Sequence, residues 1–281
     1  MGWRLPDASA LNAELDADLA LISEVAREAG ELSMQWLKKG ARSWEKSPNN
    51  PVTEADIACN DLILRRLRPA RPDYGWLSEE TRDNAKDRSQ KRVFVVDPID
   101  GTKAFVNGET GFCVSIAIVE DGAPIAGAVY NPNFDELVSA RVGGGTHLNG
   151  VRVEMTDVDS LACSMIGQPD VFARGNAHYW PDLRLIDAIP NAMAWRMSLV
   201  AAGRWDATVA LNEKSDWDLA AAVLLIQEAG GVATDRHGRA FVFNGESVIQ
   251  KGAIAAGAGL HPLIMDRLRH WASQHIRPAR T

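Results

Sequence analysis

Cysteine is scarce, basic residues are not in excess, and no long apolar run occurs; each absence removes a class of protein. Cys59, Cys113 and Cys163 are the three cysteines, odd in number and far apart. They form no metal-ligand spacing and cannot all pair, so a disulfide framework is excluded and a reducing cytoplasm is the expected home. A formal net charge of −7 leaves no overall basic footprint, which argues against a nucleic-acid polymer or an anionic membrane as partner. Nothing approaches the roughly 18–20 apolar residues of a membrane span, and the first residues, Met1 to Asp7, lack the apolar core of a signal peptide. Internal repeats, low-complexity segments and long linkers are also missing. What remains is a chain of 281 residues, enough for one large domain or two smaller ones with a sizeable core.

The most informative stretch is Val93-Phe94-Val95-Val96-Asp97-Pro98-Ile99-Asp100-Gly101-Thr102-Lys103-Ala104-Phe105. Four β-formers in a row predict a strand covered on both faces, and Pro98, which has no ladder donor, is expected to stop it. Asp97 and Asp100 then lie where the sheet ends, and Gly101-Thr102 opens a helix whose first backbone N–H groups have no internal partner. Carboxylates suited to a metal and amides suited to a phosphate meet there. Other Asp-rich loops fail on inspection. A phosphatase of the haloacid-dehalogenase type needs Asp-x-Asp-Gly-Thr, with the first Asp as nucleophile, and that position is Pro98. An EF-hand needs a glutamate at its twelfth position, which counted from Asp97 is Gly108. An isolated Asp-Pro-x-Asp-Gly turn, capping its own amides, remains the bland reading.

Residues Leu11 to Lys39 predict an amphipathic helix, with Leu19, Ile22, Val25, Ala26, Ala29, Leu32 and Leu37 on its apolar side and Gly40 as stop. Glu45 to Pro51 reads as a mobile, turn-rich surface loop. A second helix follows Val52-Thr53-Glu54-Ala55-Asp56; it is expected to bury Ile57, Ile63, Leu64 and Leu67 and to end before Pro69. A short strand, Trp76-Leu77, delivers Ser78-Glu79-Glu80, and Thr81 to Arg92 reads as a solvated charged run. Gly111 to Glu120 and Ala123 to Tyr130 form a hairpin at Asp121-Gly122. Gly143-Gly144-Gly145 lacks dinucleotide-binding spacing and reads as the turn after Glu136 to Val142. Helices against an antiparallel sheet are therefore expected for residues 1–157. Residues 158–281 alternate strand and helix and are expected to form a second subdomain. Its elements are a strand at Cys163 to Gly167, a helix at Asn191 to Gly203, a strand at Trp205 to Leu211, a helix from Trp217-Asp218 to Ala229, a strand at Ala253 to Ala256 and a helix at Pro262 to Ser273.

Glu79-Glu80, Asp97-Pro98-Ile99-Asp100-Gly101-Thr102 and Trp217-Asp218-x-Ala-Ala, ending in Glu228-Ala229-Gly230-Gly231, resemble the three signatures of the inositol monophosphatase superfamily, in its order. Val52-Thr53-x-x-Asp56 resembles a fourth element, and the resemblance runs from about Leu19 to the last strand. It implies a layered αβαβα sandwich, α+β and α/β in character, and a magnesium-dependent, lithium-sensitive phosphomonoesterase that is often dimeric. By the same resemblance, Asp97 is shared by two Mg²⁺ ions, Glu79 and the Ile99 carbonyl complete one site, and Asp100 and Asp218 complete the other. A third ion is implied near Glu79 on the side of the 45–51 loop. Thr102 and Asp56 are implied to pair and orient the attacking water, and the amides of Gly101 and Thr102 to hold phosphate. The chemistry fits the residues: Mg²⁺ takes hard oxygen ligands and retains waters, and two ions about 3.5–4 Å apart clamp an in-line displacement.

The substrate expected is a small phosphorylated metabolite. Inositol-cleaving relatives carry an acidic residue seven positions before the Asp of Trp-Asp; here an ungapped count gives Leu211, and Glu213 restores a carboxylate only through a short loop shift. Lys103-Ala104-Phe105 is closer to the 3'(2'),5'-bisphosphate nucleotidases, with Ala104 as a departure, and histidinol-phosphate phosphatases show a similar triplet. The leaning is to 3'-phosphoadenosine 5'-phosphate, with inositol 1-phosphate and histidinol phosphate as alternatives. A catalytically silent metal-binding regulatory protein is the alternative of another class. Trp180, Trp195 and Trp205 are candidates for base stacking but read first as core.

Overall fold

The computed structural model describes residues 8–48, 50–162, 165–167, 184–186 and 189–275. The first helix, α1 (Ala8–Lys39), buries Leu15, Ile22, Val25, Ala26 and Ala29 along one stripe and ends at Gly40, whose φ of 77° suits a residue without Cβ. Beyond it the expected loop is a small antiparallel ladder. Strands β1 (Ser43–Ser47) and β2 (Asn50–Thr53) pair Trp44 with Val52 and Glu45 with Pro51. The segment reads as loop because β1 is exposed throughout and carries no apolar alternation; backbone pairing organises it instead.

Helix α2 (Glu54–Ala70) buries Ala55, Cys59, Ile63 and Leu67, each four residues from the last. Ile57, expected in that stripe, is 38% exposed on the opposite side, and Leu64 packs only at the edge of the core. Pro69 lies inside the last turn rather than beyond the helix.

Strand β3 (Gly75–Ser78) runs parallel to β4 (Arg92–Asp100), every residue of which is buried. Val93 and Val95 face one side of the sheet and Phe94 and Val96 the other, each in a different hydrophobic core. Pro98 does not stop this strand. Pairing with β5 (Cys113–Glu120) skips from Asp97 to Asp100, so the proline sits in a bulge where its missing donor costs no ladder bond. Arg92, expected in a solvated run, is buried and donates to Glu120 Oε2 and Glu14 Oε1 at 2.6 Å each and to the Tyr74 hydroxyl at 2.7 Å. After α3 (Thr102–Asn107) and β5, the hairpin to β6 (Ala123–Asn131) turns at Asp121 and Gly122, both with positive φ, as expected. Strands β7 (Glu136–Arg141), β8 (Gly145–Leu148) and β9 (Val151–Val153) complete a seven-stranded sheet in chain order from β3 to β9, with the glycine-rich turn joining β7 to β8. The sheet is mixed rather than antiparallel throughout, because β3 joins β4 in parallel.

The remaining elements are β10 (Met165–Gly167), β11 (Arg184–Leu185), α4 (Met193–Ala201), β12 (Ala207–Ala210), β13 (Lys214–Ser215), α5 (Asp216–Glu228), β14 (Gly231–Thr234), β15 (Ile249–Gln250), β16 (Ala253–Gly257) and α6 (Leu260–His275). A five-stranded sheet runs β11-β10-β12-β16-β14, and β13 pairs with β15. Cys163 and Trp180 lie outside the described residues. Three cores separate the layers. Helices α1 and α2 cover one face of the large sheet, α4 and α5 fill the space between the sheets, and α6 closes the far face of the smaller one. Helix α5 is buried continuously from Leu219 to Ile226, as a helix sandwiched on both sides requires. Gly127 of β6 permits its close approach, since a Cβ there would lie 3.0 Å from the Ala221 backbone. The result is a layered αβαβα sandwich.

Candidate metal and phosphate site

The bulge at the end of β4 aims two carboxylates into one cavity. Asp97 Oδ1 accepts from the Ile99 amide at 3.0 Å, which fixes the turn around Pro98. Asp100 Oδ2 accepts from the Ala194 amide at 2.7 Å and so ties the start of α4 to the end of β4. Gly101 follows with φ 89°, and a Cβ there would sit 3.0 Å from both the Ala192 nitrogen and the Gly111 oxygen; only glycine fits. Asp218, in the first turn of α5, accepts from the Ser215 amide at 2.8 Å. One oxygen from each of Asp97, Asp100 and Asp218 lies within 4.8 Å of the others. Residues more than 110 positions apart in sequence thus meet at one point.

Asp56 reaches the same place from α2. Thr53 caps that helix by accepting from the amides of Ala55 and Asp56 at 3.1 and 3.3 Å, and its own amide donates to Asp56 Oδ2 at 2.8 Å. The other oxygen, Asp56 Oδ1, accepts from the Thr102 hydroxyl at 3.1 Å. That hydroxyl also lies 3.2 Å from the Ile99 carbonyl, so its single proton is shared between two acceptors. Glu79 lines the cavity but stands outside the tight group of three carboxylates; its Oε1 lies 3.4 Å from Lys46 Nζ, which also binds Glu80. Lys46 comes from β1, and Asn50 and Pro51 of β2 line the cavity, so the hairpin read as a loop borders the site.

The three carboxylates oppose one another electrostatically. Burial first, then the neighbouring charges of Glu79 and Asp100, holds the Asp97 carboxyl well above its usual range. Burial and Asp218 push Asp100 up to about 8, against the Ala194 hydrogen bond and Lys214, which act the other way. Desolvation raises Asp218 to about 6, offset in part by the Ser215 amide. Carboxylates that oppose one another's ionisation, all hard oxygen donors, form a donor set for a divalent cation, whose charge removes the conflict. The residues therefore fit the metal that their motifs imply.

A cavity of about 400 Å³ opens from this cluster. The same cavity is lined by Asn191, Met193 and Arg196 around α4 and by Asn212 and Lys214 before α5. Leu211 occupies the counted position of the acidic residue, and its backbone carbonyl accepts from Arg236 at 2.9 Å. Glu213 is exposed and is not among the residues that line the cavity. Trp195 and Trp205 line a different cavity, of about 540 Å³, which shares only Asn191 with the first. Sequence reasoning missed Lys46, Arg196 and Lys214 as members of the site. Lys214, four residues before Asp218, was the most accessible of them; Arg196 carries no local signal beyond being a charge on a buried helix.

A layered αβαβα sandwich with an acidic cluster where β4 ends and α5 begins defines a class of metal-dependent phosphatase folds. Across residues 14–275 the chain matches the inositol monophosphatase family, and it belongs to that family. An inositol-1-monophosphatase of Mesorhizobium japonicum is 34% identical over 88% of this chain and 91% of its own length. A histidinol-phosphatase of Chlorobaculum parvum is 30% identical over 83% and 91% respectively. The structure of the Thermotoga maritima IMPase superposes with a TM-score of 0.80 at 27% identity, covering 93% of this chain and 99% of that one. The protein is a phosphoric monoester hydrolase of this family. Among the described residues no helix is long and apolar enough to cross a membrane.

Proposed function

We propose that the chain hydrolyses a small phosphate monoester at the Asp97, Asp100 and Asp218 cluster, with Mg²⁺ as the working cation. The observation that carries this reading is the meeting of three carboxylate oxygens within 4.8 Å in a cavity also lined by Thr102, whose hydroxyl is hydrogen-bonded to Asp56 behind it. Asp97, Asp100 and Asp218, with Glu79 and the Ile99 carbonyl, would hold the metal. Mg²⁺ held there supplies positive charge to the phosphate oxygens and lowers the pKa of water.

The protein's own groups provide the rest. Thr102 donates its proton to Asp56 and so presents an oxygen lone pair to a water, orienting it for attack on phosphorus. Asp56 is in turn aimed by its bonds to Thr53. The Gly101 and Thr102 backbone, brought against the cavity by the left-handed turn, would offer its amides to the phosphate oxygens. In-line attack by the water forms the new P–O bond as the ester P–O bond breaks; the water gives up one proton and the leaving oxygen takes one up from solvent, so that the products are inorganic phosphate and an alcohol. No side chain in this arrangement stands as a covalent nucleophile.

The substrate preference proposed is a 3'-phosphorylated nucleotide over inositol 1-phosphate or histidinol phosphate. Lys103 in the cavity lining and the absence of a carboxylate at Leu211 support it. The test is phosphate release by the purified protein in Mg²⁺ or EDTA, across 3'-phosphoadenosine 5'-phosphate, inositol 1-phosphate and histidinol phosphate, each with and without Li⁺. Turnover that requires Mg²⁺, falls with Li⁺ and favours the nucleotide is expected. Bound Mg²⁺ with every substrate untouched would instead favour a silent regulatory protein.

A further inference from the structure

The cavity that holds the carboxylates also carries positive charge with no ion-pair partner among the described residues. Arg196 of α4 and Lys214 of β13 both line it. Among the described residues neither has a carboxylate within ion-pair reach, although the chain is rich in such pairs elsewhere. Arg196 is half-buried, and its Nε donates to the Pro190 carbonyl at 2.5 Å. That bond fixes the plane of the guanidinium and leaves its two terminal nitrogens without a protein acceptor among the described residues. Burial holds the Arg196 pKa below its usual value, while Asp100 favours the charge. A half-buried guanidinium without a full partner is costly unless a ligand completes it.

The nearest negative groups are those of the metal cluster. Asp100 and Asp218 both feel Lys214, and Asp100 feels Arg196. A divalent cation held there would neutralise those carboxylates and withdraw that attraction, which would leave the substrate to balance the two basic side chains. Among the other lining residues, Asn191, Met193 and Asn212 are neutral. A neutral polyol would leave both charges unanswered; a leaving group with an ammonium would meet them as like charges.

We propose that Arg196 and Lys214 form an anion subsite that selects leaving groups bearing a second negatively charged group, a phosphate or a carboxylate, in addition to the phosphate that is cleaved. The subsite rests on the phosphatase reading of the neighbouring carboxylates. Guanidinium and ammonium together suit an anion with several acceptor oxygens, because the planar fork fixes its orientation and the lysine adds charge.

Two matched pairs of substrates test it: adenosine 3',5'-bisphosphate against adenosine 3'-phosphate, and 3-phosphoglycerate against glycerol 3-phosphate. Within each pair only the second anionic group differs. The wild-type protein should prefer the more anionic member in kcat/KM by at least about tenfold, roughly the contribution of one charge-assisted hydrogen bond. In Arg196→Glu and in Lys214→Glu that ratio should fall to unity or invert, chiefly through KM. Hydrolysis of both members of each pair at equal kcat/KM would overturn the subsite and leave the phosphatase reading standing. No turnover of any substrate would overturn the phosphatase reading; the adenosine pair is then compared by calorimetric titration in Mg²⁺. Tighter binding of the bisphosphate, lost in Arg196→Glu, would uphold the anion subsite, and equal affinities would overturn it.

Discussion

The two walls of the cavity are opposite in charge and were written into the chain in different ways. The wall made by Asp97, Asp100 and Asp218 is acidic and is shaped by local devices: a bulge at Pro98, a glycine turn and the first turn of α5. The side made by Arg196 and Lys214 is basic and is shaped by the packing of α4 against the large sheet and by the β13–β15 pair beside α5. The first wall is the part suited to phosphate and metal and the second the part suited to the leaving group. The difference teaches that one chemistry can be held constant by short motifs while specificity rests on residues scattered over elements.

Breaking the acidic wall should have the largest effect. Asp97→Asn should lower kcat by at least about 10³-fold while leaving the circular dichroism spectrum native, since the loss falls on charge placed for the transition state. Retained activity in that variant would remove Asp97 from the metal site. Thr102→Val replaces only the hydroxyl that joins Asp56 to the cavity with a methyl group; a drop of roughly 10²-fold, within the usual range for a lost general-base contact, is expected in kcat with a smaller change in KM.

The charge conflict within that wall predicts a pH dependence of stability. A carboxyl whose folded pKa is raised above its unfolded value of 3.8 binds its proton more tightly in the folded chain. It imposes nothing below that value, and stability is lost as the pH climbs towards the folded pKa. With Asp218 at about 6 and Asp100 at about 8, protein held in EDTA should lose thermal stability between pH 5 and pH 8. Mg²⁺ should raise Tm more at pH 8 than at pH 5, and a saturating excess near 100 times Kd corresponds to about 2.7 kcal/mol. A metal-induced shift independent of pH would break the link between the cation and these carboxylates. The smallest effect is expected from Thr53→Ala, which removes the α2 cap and one support of Asp56; about 1 kcal/mol of stability, or roughly 2–4 °C in Tm, should go with a modest loss of turnover.

How much of the molecule was legible follows the same division. Strand β4, helices α1, α2, α5 and α6 and the Asp121-Gly122 hairpin show in the sequence because their periodicities or turn residues act locally. The carboxylates show because bulge, turn and helix start each have a short signature. Pro98 misled on the strand's end because a bulge accommodates what a regular ladder would not. The β1–β2 ladder was invisible because its exposed strand has no apolar alternation, and Arg92 because its burial depends on Glu14 and Glu120, which are distant in the chain. Arg196 and Lys214 could not be assigned to a wall before the packing of α4 and β13 was known. Glu213 lies in the segment that the sequence pointed to, yet outside the cavity lining.

The most direct test of the account is a parallel titration of Mg²⁺ binding, by calorimetry, and of phosphate release from adenosine 3',5'-bisphosphate, in the wild-type protein and in Asp218→Asn. Turnover that rises in step with Mg²⁺ occupancy, with both curves displaced to higher Mg²⁺ in the variant, is the result the account predicts. Turnover unaffected by EDTA, or identical Mg²⁺ binding in the two proteins, would contradict it.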